Sequence, residues 1–152
     1  MRKALVCLLL ALASSAHAET ITGKVVGVAD GDTITVLDAD KVQHKIRLAG
    51  IDAPEKKQAF GNRSKESLSD LVFDRTVNVE TEKRYRYGRK IGKVLVNGQD
   101  VNLVQVDRGM AWFYREYQRE QSPSDRKLYM RRKMRPKLVG AACGVTLILY
   151  RH

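Results

Sequence analysis

A chain of 152 residues has room for one compact domain and little more. Its hydrophobic share of 43% excludes disorder throughout, because a chain this apolar can bury enough surface to fold. The formal net charge of +11 suggests a polyanionic partner, yet Arg2 and Lys3 supply +2 of it and residues 130–152 another +6, so only +3 falls between them.

The first stretch, MRKALVCLLLALASSAHA, has a basic start, an apolar run and then Ala16-His17-Ala18. That is the layout of a secretory signal with an A-x-A cleavage site, so residues 1–18 are read as a signal peptide cut before Glu19. The apolar run is too short for a retained membrane span. Localisation is therefore expected to be periplasmic or secreted, with no stable membrane association after cleavage. Of the two cysteines, Cys7 lies in this leader and Cys143 is alone in the mature chain, which excludes an intramolecular disulfide. A monomer is expected.

From Thr20 onward the chain reads as short strands. ITGKVVGV and DTITVLD are rich in β-branched residues and meet through the turn-forming cluster ADGD. VQHKIRLAGI is the third strand, with His44, Ile46 and Leu48 alternating against Gln43, Lys45 and Arg47. QAFGNRSKESLSDLVFD then places Leu68, Leu71 and Val72 at helical spacing. TVNVETEK and KIGKVLVNG are the fourth and fifth strands, and DVNLVQVDRGMAWF gives a second helix stopped at Gly109. Three strands, a helix, two strands and a helix fit an α+β fold, a five-stranded OB-fold β-barrel with packed helices. Strand alternation alone fits a sandwich as well.

Three clusters carry acids and arginines. DGDT holds Asp30 and Asp32, RLAGIDAPE holds Arg47, Asp52 and Glu55, and RYRYGR holds Arg84, Arg86 and Arg89. Each has a plain structural reading: a hairpin turn for the first, a helix start at Pro54 and Glu55 for the second, a solvated hairpin for the third. Asp32 shares a strand face with Ile34 and Val36, and a carboxylate near a barrel interior is costly unless paired or bound to a cation. Asp52 can meet it there, and two aspartates with backbone carbonyls make an oxygen-only site suited to Ca²⁺ or Mg²⁺. Zinc is disfavoured, because His44, His152 and Cys143 are scattered. Hydrolysis of a phosphodiester needs a base for water, a cation, and donors for the negative charge that develops. Glu55, an ion on Asp32 and Asp52, and Arg47 with Arg89 fill those roles.

VVGVADGDTITV, RLAGIDAPE and YGRKIGKVLVNGQDVNLVQVDRGMA together resemble the staphylococcal (micrococcal) nuclease family over roughly residues 21–115. The resemblance implies an OB-fold enzyme that hydrolyses DNA and RNA, typically with Ca²⁺. Carried over by motif, it implies that Asp32, Asp52 and the backbone carbonyl of Ala53 hold the ion. Glu55 would act as general base, Arg47 and Arg89 would hold the scissile phosphate, and Arg86 with Tyr87 would line the nucleotide pocket. Tyr114 and Tyr117 would stack on bases or contact phosphate. A non-catalytic OB-fold module that binds single strands is the rival reading.

The tail departs from the family. A third helix should begin near SPSDRKLY, but after Tyr129 the chain turns into MRRKMRPKLVGAACGVTLILYRH, basic and then apolar. Codons for that run can encode, in a neighbouring frame, a family-like helix and a Gly-Leu-Trp closing segment. The expected organisation is a nuclease domain at 19–129 and a basic/apolar tail at 130–152, read either as a frameshifted third helix or as a solvated basic extension.

Overall fold

The β-branched runs build the sheet expected of them. In the computed structural model, which describes residues 19–86 and 88–133 (backbone alone at 82–86 and 133), β1 spans Glu19–Val28 and β2 spans Thr33–Asp38. They run antiparallel with Val25 opposite Val36, and a bulge between Val25 and Gly27 bends the first strand. β3 (Gln43–Leu48) lies on the other side of β2, with Thr33 opposite Arg47. The leader 1–18, Tyr87 and residues 134–152, most of the run read as frameshifted after Tyr129, lie outside the described residues.

β5 (Thr76–Arg86) pairs with β1, and β6 (Arg89–Val96) folds back on β5. A parallel pairing of β3 with β6, Arg47 beside Ile91, closes the order β3-β2-β1-β5-β6 on itself. Closure removes the free edges that such a sheet would otherwise present. This is the α+β OB-fold arrangement expected from the element order.

Period-two alternation sends Val77 and Val79 into the core and leaves Asn78 and Glu80 exposed. Ile34, Val36, Ile46, Leu48 and Val94 join them there without measurable exposure. The first helix, α1 (Gly61–Val72), adds Leu68 and Val72 from a face that also buries Ser64 and Ser67. It begins well after Glu55, so the helix-start reading of DAPE is overturned: residues 53–60 form a loop.

Three two-residue strands leave no periodic signal in the sequence. β4 (Ile51–Asp52) pairs with β8 (Trp112–Phe113), setting Asp52 opposite Trp112. Between them in sequence come β7 (Gln99–Asp100) and α2 (Val101–Asp107), whose first turn is capped by the Asp100 carboxylate accepting from the Leu103 N–H at 3.0 Å. A 3-10 turn at Arg115–Glu120 leads into α3 (Pro123–Lys133). The Ser122 hydroxyl caps that helix by accepting from the Asp125 N–H, and Pro123 occupies its first position. The first basic residues of the tail, Arg131–Lys133, therefore extend a helix rather than end it.

Candidate active site

Arg47 breaks the alternation of its strand. Expected on the polar face with Gln43 and Lys45, it is only 4% exposed. The 3-10 turn covers it: Glu120 approaches from that turn, and the Tyr117 ring lies 4.1 Å beneath the guanidinium carbon. One terminal nitrogen, Nη2, donates to the Ile51 carbonyl at 2.8 Å and stands 3.8 Å from Asp32 Oδ2 and 3.6 Å from Asp52 Oδ1. The other, Nη1, donates to Glu120 Oε2 at 3.3 Å. A planar fork with several donors suits this many-sided contact, as a lysine would not.

Asp32 and Asp52, from separate motifs, thus converge on one nitrogen. Close backbone packing makes this possible. A side chain on Gly31 would collide with the Ser64 hydroxyl and with Ala53, so the DGD turn, the DAPE segment and α1 can approach only over a glycine. Gln105 of α2 locks the same junction, donating from Nε2 to the carbonyls of Gly31 and Ser64 at 3.0 and 3.1 Å.

The electrostatics of the junction are acidic. Burial pushes the Asp32 carboxyl up to about 7; Arg47 opposes the shift, Asp30 adds to it, and a hydrogen bond from the Thr33 hydroxyl opposes it. Burial also raises the Asp52 carboxyl, again against the pull of Arg47. Burial thus outweighs the pull of the one guanidinium on both carboxyls. Hard oxygen donors with a deficit of positive charge fit a divalent cation of the Ca²⁺ or Mg²⁺ type. Among the described residues no three His, Cys, Asp or Glu side chains form a metal-holding group. An ion here would therefore draw on two carboxylates, with backbone and water oxygens completing its shell.

Arg89 reaches the junction from the β5–β6 hairpin, where it pairs with Arg86 across a turn at Gly88 (φ 72°). Its Nη1 donates to the Thr33 hydroxyl at 3.4 Å, and that hydroxyl donates to Asp32 Oδ1 at 2.8 Å. Glu55 stands apart, its side chain exposed. Its backbone is held, with the N–H donating to Gln58 Oε1 and the carbonyl accepting from the Gln58 N–H, both at 2.8 Å. Tyr114 and Tyr117 pack together with ring centres 4.8 Å apart. The Arg86 side chain and Tyr87 lie outside the described residues.

Four contributors went unnoticed in the sequence: Thr33, Gln105, Trp112 and Glu120. Thr33 is the last residue of the DGDT motif itself. Glu120 is 73 residues from Arg47, and no local pattern announces such a pairing. Trp112 is 43% exposed beside Asp52, a position set by two-residue strands too short to leave a periodic signal.

Residues 45–137 match the family model described as staphylococcal nuclease homologue. An uncharacterized endonuclease of Haemophilus influenzae is 44% identical over 110 residues, covering 72% of this chain and 62% of that protein. Protein ParB of Escherichia coli is 42% identical over 149 residues, 92% of this chain and 82% of its own. A micrococcal nuclease of Shigella flexneri is 42% identical over 116 residues, 70% and 64% respectively. The chain thus spans less than two thirds of the length of the Haemophilus and Shigella relatives. With more than half of its residues inside the family match, the chain belongs to the staphylococcal nuclease homologues.

Proposed function

We propose that the protein is an exported, Ca²⁺-dependent nuclease that hydrolyses phosphodiester bonds of DNA and RNA with little regard for the sugar. The convergence of Asp32 and Asp52 on the buried Arg47, with Arg89 tied to the same cluster through Thr33, carries this reading. The names of the Haemophilus and Shigella relatives, an endonuclease and a micrococcal nuclease, support it.

Asp32, Asp52 and the Ala53 carbonyl would hold the ion, which when bound supplies positive charge to a non-bridging phosphate oxygen. Glu55 presents an exposed carboxylate on a loop whose backbone is fixed, and it takes a proton from the attacking water. Arg47 and Arg89 donate to the phosphate as negative charge accumulates on it. The Thr33 hydroxyl, linking Asp32 to Arg89, sets the spacing between the acid pair and the second arginine. The family resemblance assigns Arg86 and Tyr87 to the nucleotide pocket. Trp112, Tyr114 and Tyr117 offer aromatic surface to bases, which all present a stackable face and so give little sequence preference. Contacts to phosphate carry no sugar information directly.

Export rests on the leader, whose A-x-A site puts the cut before Glu19. N-terminal sequencing of the mature protein from the periplasm or medium should start there; a retained Met1 opposes the proposal. Activity is tested by incubating the purified protein with DNA or RNA, with Ca²⁺ or with chelator. Degradation that requires the ion supports the nuclease. Retention of single strands without cleavage identifies a binding module instead.

A further inference from the structure

We propose that the loop after Glu55 is a second contact surface, which holds the single-stranded flank of a nucleic-acid substrate outside the reacting phosphate. The proposal rests on the nuclease reading for its choice of ligand and adds residues to which that reading gives no role: Lys56, Lys57, Phe60 and Arg63.

The loop is built around a strained and exposed aromatic residue. Phe60 has φ 64°, and of the four non-glycine residues with positive φ among those described it is the one bulky aromatic. That conformation is sterically unfavourable for any residue with a Cβ, and more so for a large side chain. The ring is 61% exposed, so burial does not compensate for it. Neither the strain nor the exposure stabilises the fold, and such outliers cluster where a surface is used for binding.

Around the ring the charge is of one sign. Residues 56–63 contain Lys56, Lys57 and Arg63 and no acid, and all three side chains are exposed. The Arg63 guanidinium lies 5.8 Å from the centre of the Phe60 ring, leaving a cation and an aromatic face side by side. Lysines that act as point charges on phosphates, next to a ring on which a base can stack, are the combination single strands use. A duplex offers no unpaired base for Phe60.

The loop is also held against the reacting end. Gln58 donates its N–H to the Glu55 carbonyl at 2.8 Å, and Gly61 donates to the Gln58 carbonyl at 3.0 Å. A Cβ on Gly61 would collide with the Glu55 carbonyl oxygen, so the loop closes on the general base itself. A strand whose phosphate lies at Glu55 therefore passes this surface with its neighbouring nucleotides. The patch stays separate from the chemistry, since none of its four side chains touches Arg47, Asp32 or Asp52.

The test compares wild type with Lys56→Ala/Lys57→Ala and with Phe60→Gly in the full-length exported protein. Phe60→Gly removes the ring and relieves the positive φ, so its melting temperature should hold or rise while binding weakens. Binding of a fluorescein-labelled single-stranded oligonucleotide in chelator should weaken about tenfold for Phe60→Gly, as expected for one stacked base. The slope of log affinity against log salt should shrink by about 1.4 for the double lysine variant, the value for two contacts to a single strand. Turnover of a nitrophenyl nucleoside phosphodiester, too short to reach the loop, should stay within about twofold of wild type. Unchanged oligonucleotide binding overturns the proposal, as does an equal loss on the short ester or an equal loss on duplex DNA. A wild type that binds the oligonucleotide but cleaves neither substrate defeats the nuclease reading and leaves the binding comparison to decide this one. A wild type that does not bind the oligonucleotide overturns this proposal, while cleavage with Ca²⁺ decides the nuclease reading separately.

Discussion

Arg47 carries structural and chemical weight together, because one guanidinium serves three carboxylates and a backbone carbonyl. Replacing it by Met should cost about 3–5 kcal/mol in chelator, the usual result of leaving buried charge without a partner. Most of that loss comes from Asp32 and Glu120, whose side chains are 10% and 8% exposed; Asp52, at 37%, is screened by water and contributes least. Urea unfolding in chelator measures the loss, and Ca²⁺ should restore part of it by neutralising Asp32 and Asp52. Stability equal to wild type in chelator contradicts the picture. Glu55 makes the opposite case. Its carboxylate is exposed and its backbone is held by Gln58, so Glu55→Gln should leave the melting temperature unchanged. Turnover should fall by roughly 10²–10⁴-fold, the usual loss for a general base. At this scale the sequence marked the residues that cluster, because Arg47 and Asp52 share one short motif and Asp32 and Arg89 sit in motifs of their own. What it hid was Glu120 and the burial of Arg47, which depend on a turn that arrives only when the chain has closed.

Among the elements, α2 and α3 show how docking can depend on single polar residues. Asn102 is fully buried; its side-chain oxygen accepts from the Val94 N–H at 3.1 Å, and its amide nitrogen donates to the Ala49 and Gly92 carbonyls at 3.2 and 3.3 Å. It thereby ties α2 to β6 and to the segment that follows β3. Asn102→Ala leaves those backbone groups without partners and should destabilise the domain by at least about 1–3 kcal/mol, with activity per folded molecule preserved. Tyr129 does the same for α3. Its ring meets Phe113 edge-on at 6.4 Å, and its hydroxyl donates to both oxygens of Asp100 at 2.8 Å. Tyr129→Phe removes a bond to a buried carboxylate and should cost about 1.5–3 kcal/mol by thermal or urea melts. An unchanged midpoint means α3 is held by something other than this residue. The helices differ in how visible they were beforehand. α1 buries Ser64, Ser67, Leu68 and Val72 on one face and so leaves a helical period. α3 docks chiefly through Tyr129, and one aromatic residue makes no period.

For the whole molecule, the strands were legible and their closure was not. Alternation marks Val77 and Val79 as inward wherever the strand sits, but it does not say that β3 will lie parallel to β6. That pairing sets Arg47 of β3 beside β6, whose first residue is Arg89, and so brings two arginines from separate motifs to one place. In the proposed function this place, together with the exposed Glu55 of the 53–60 loop, is a metal-dependent phosphodiesterase site. The most direct measurement follows DNA hydrolysis by the full-length protein with Ca²⁺, with chelator, and with Glu55→Gln in Ca²⁺, recording oligonucleotide binding in parallel. Cleavage should require the ion and fall roughly 10²–10⁴-fold in the variant while binding persists. Cleavage that proceeds equally in chelator, that ignores the loss of Glu55, or that never occurs despite tight binding contradicts it.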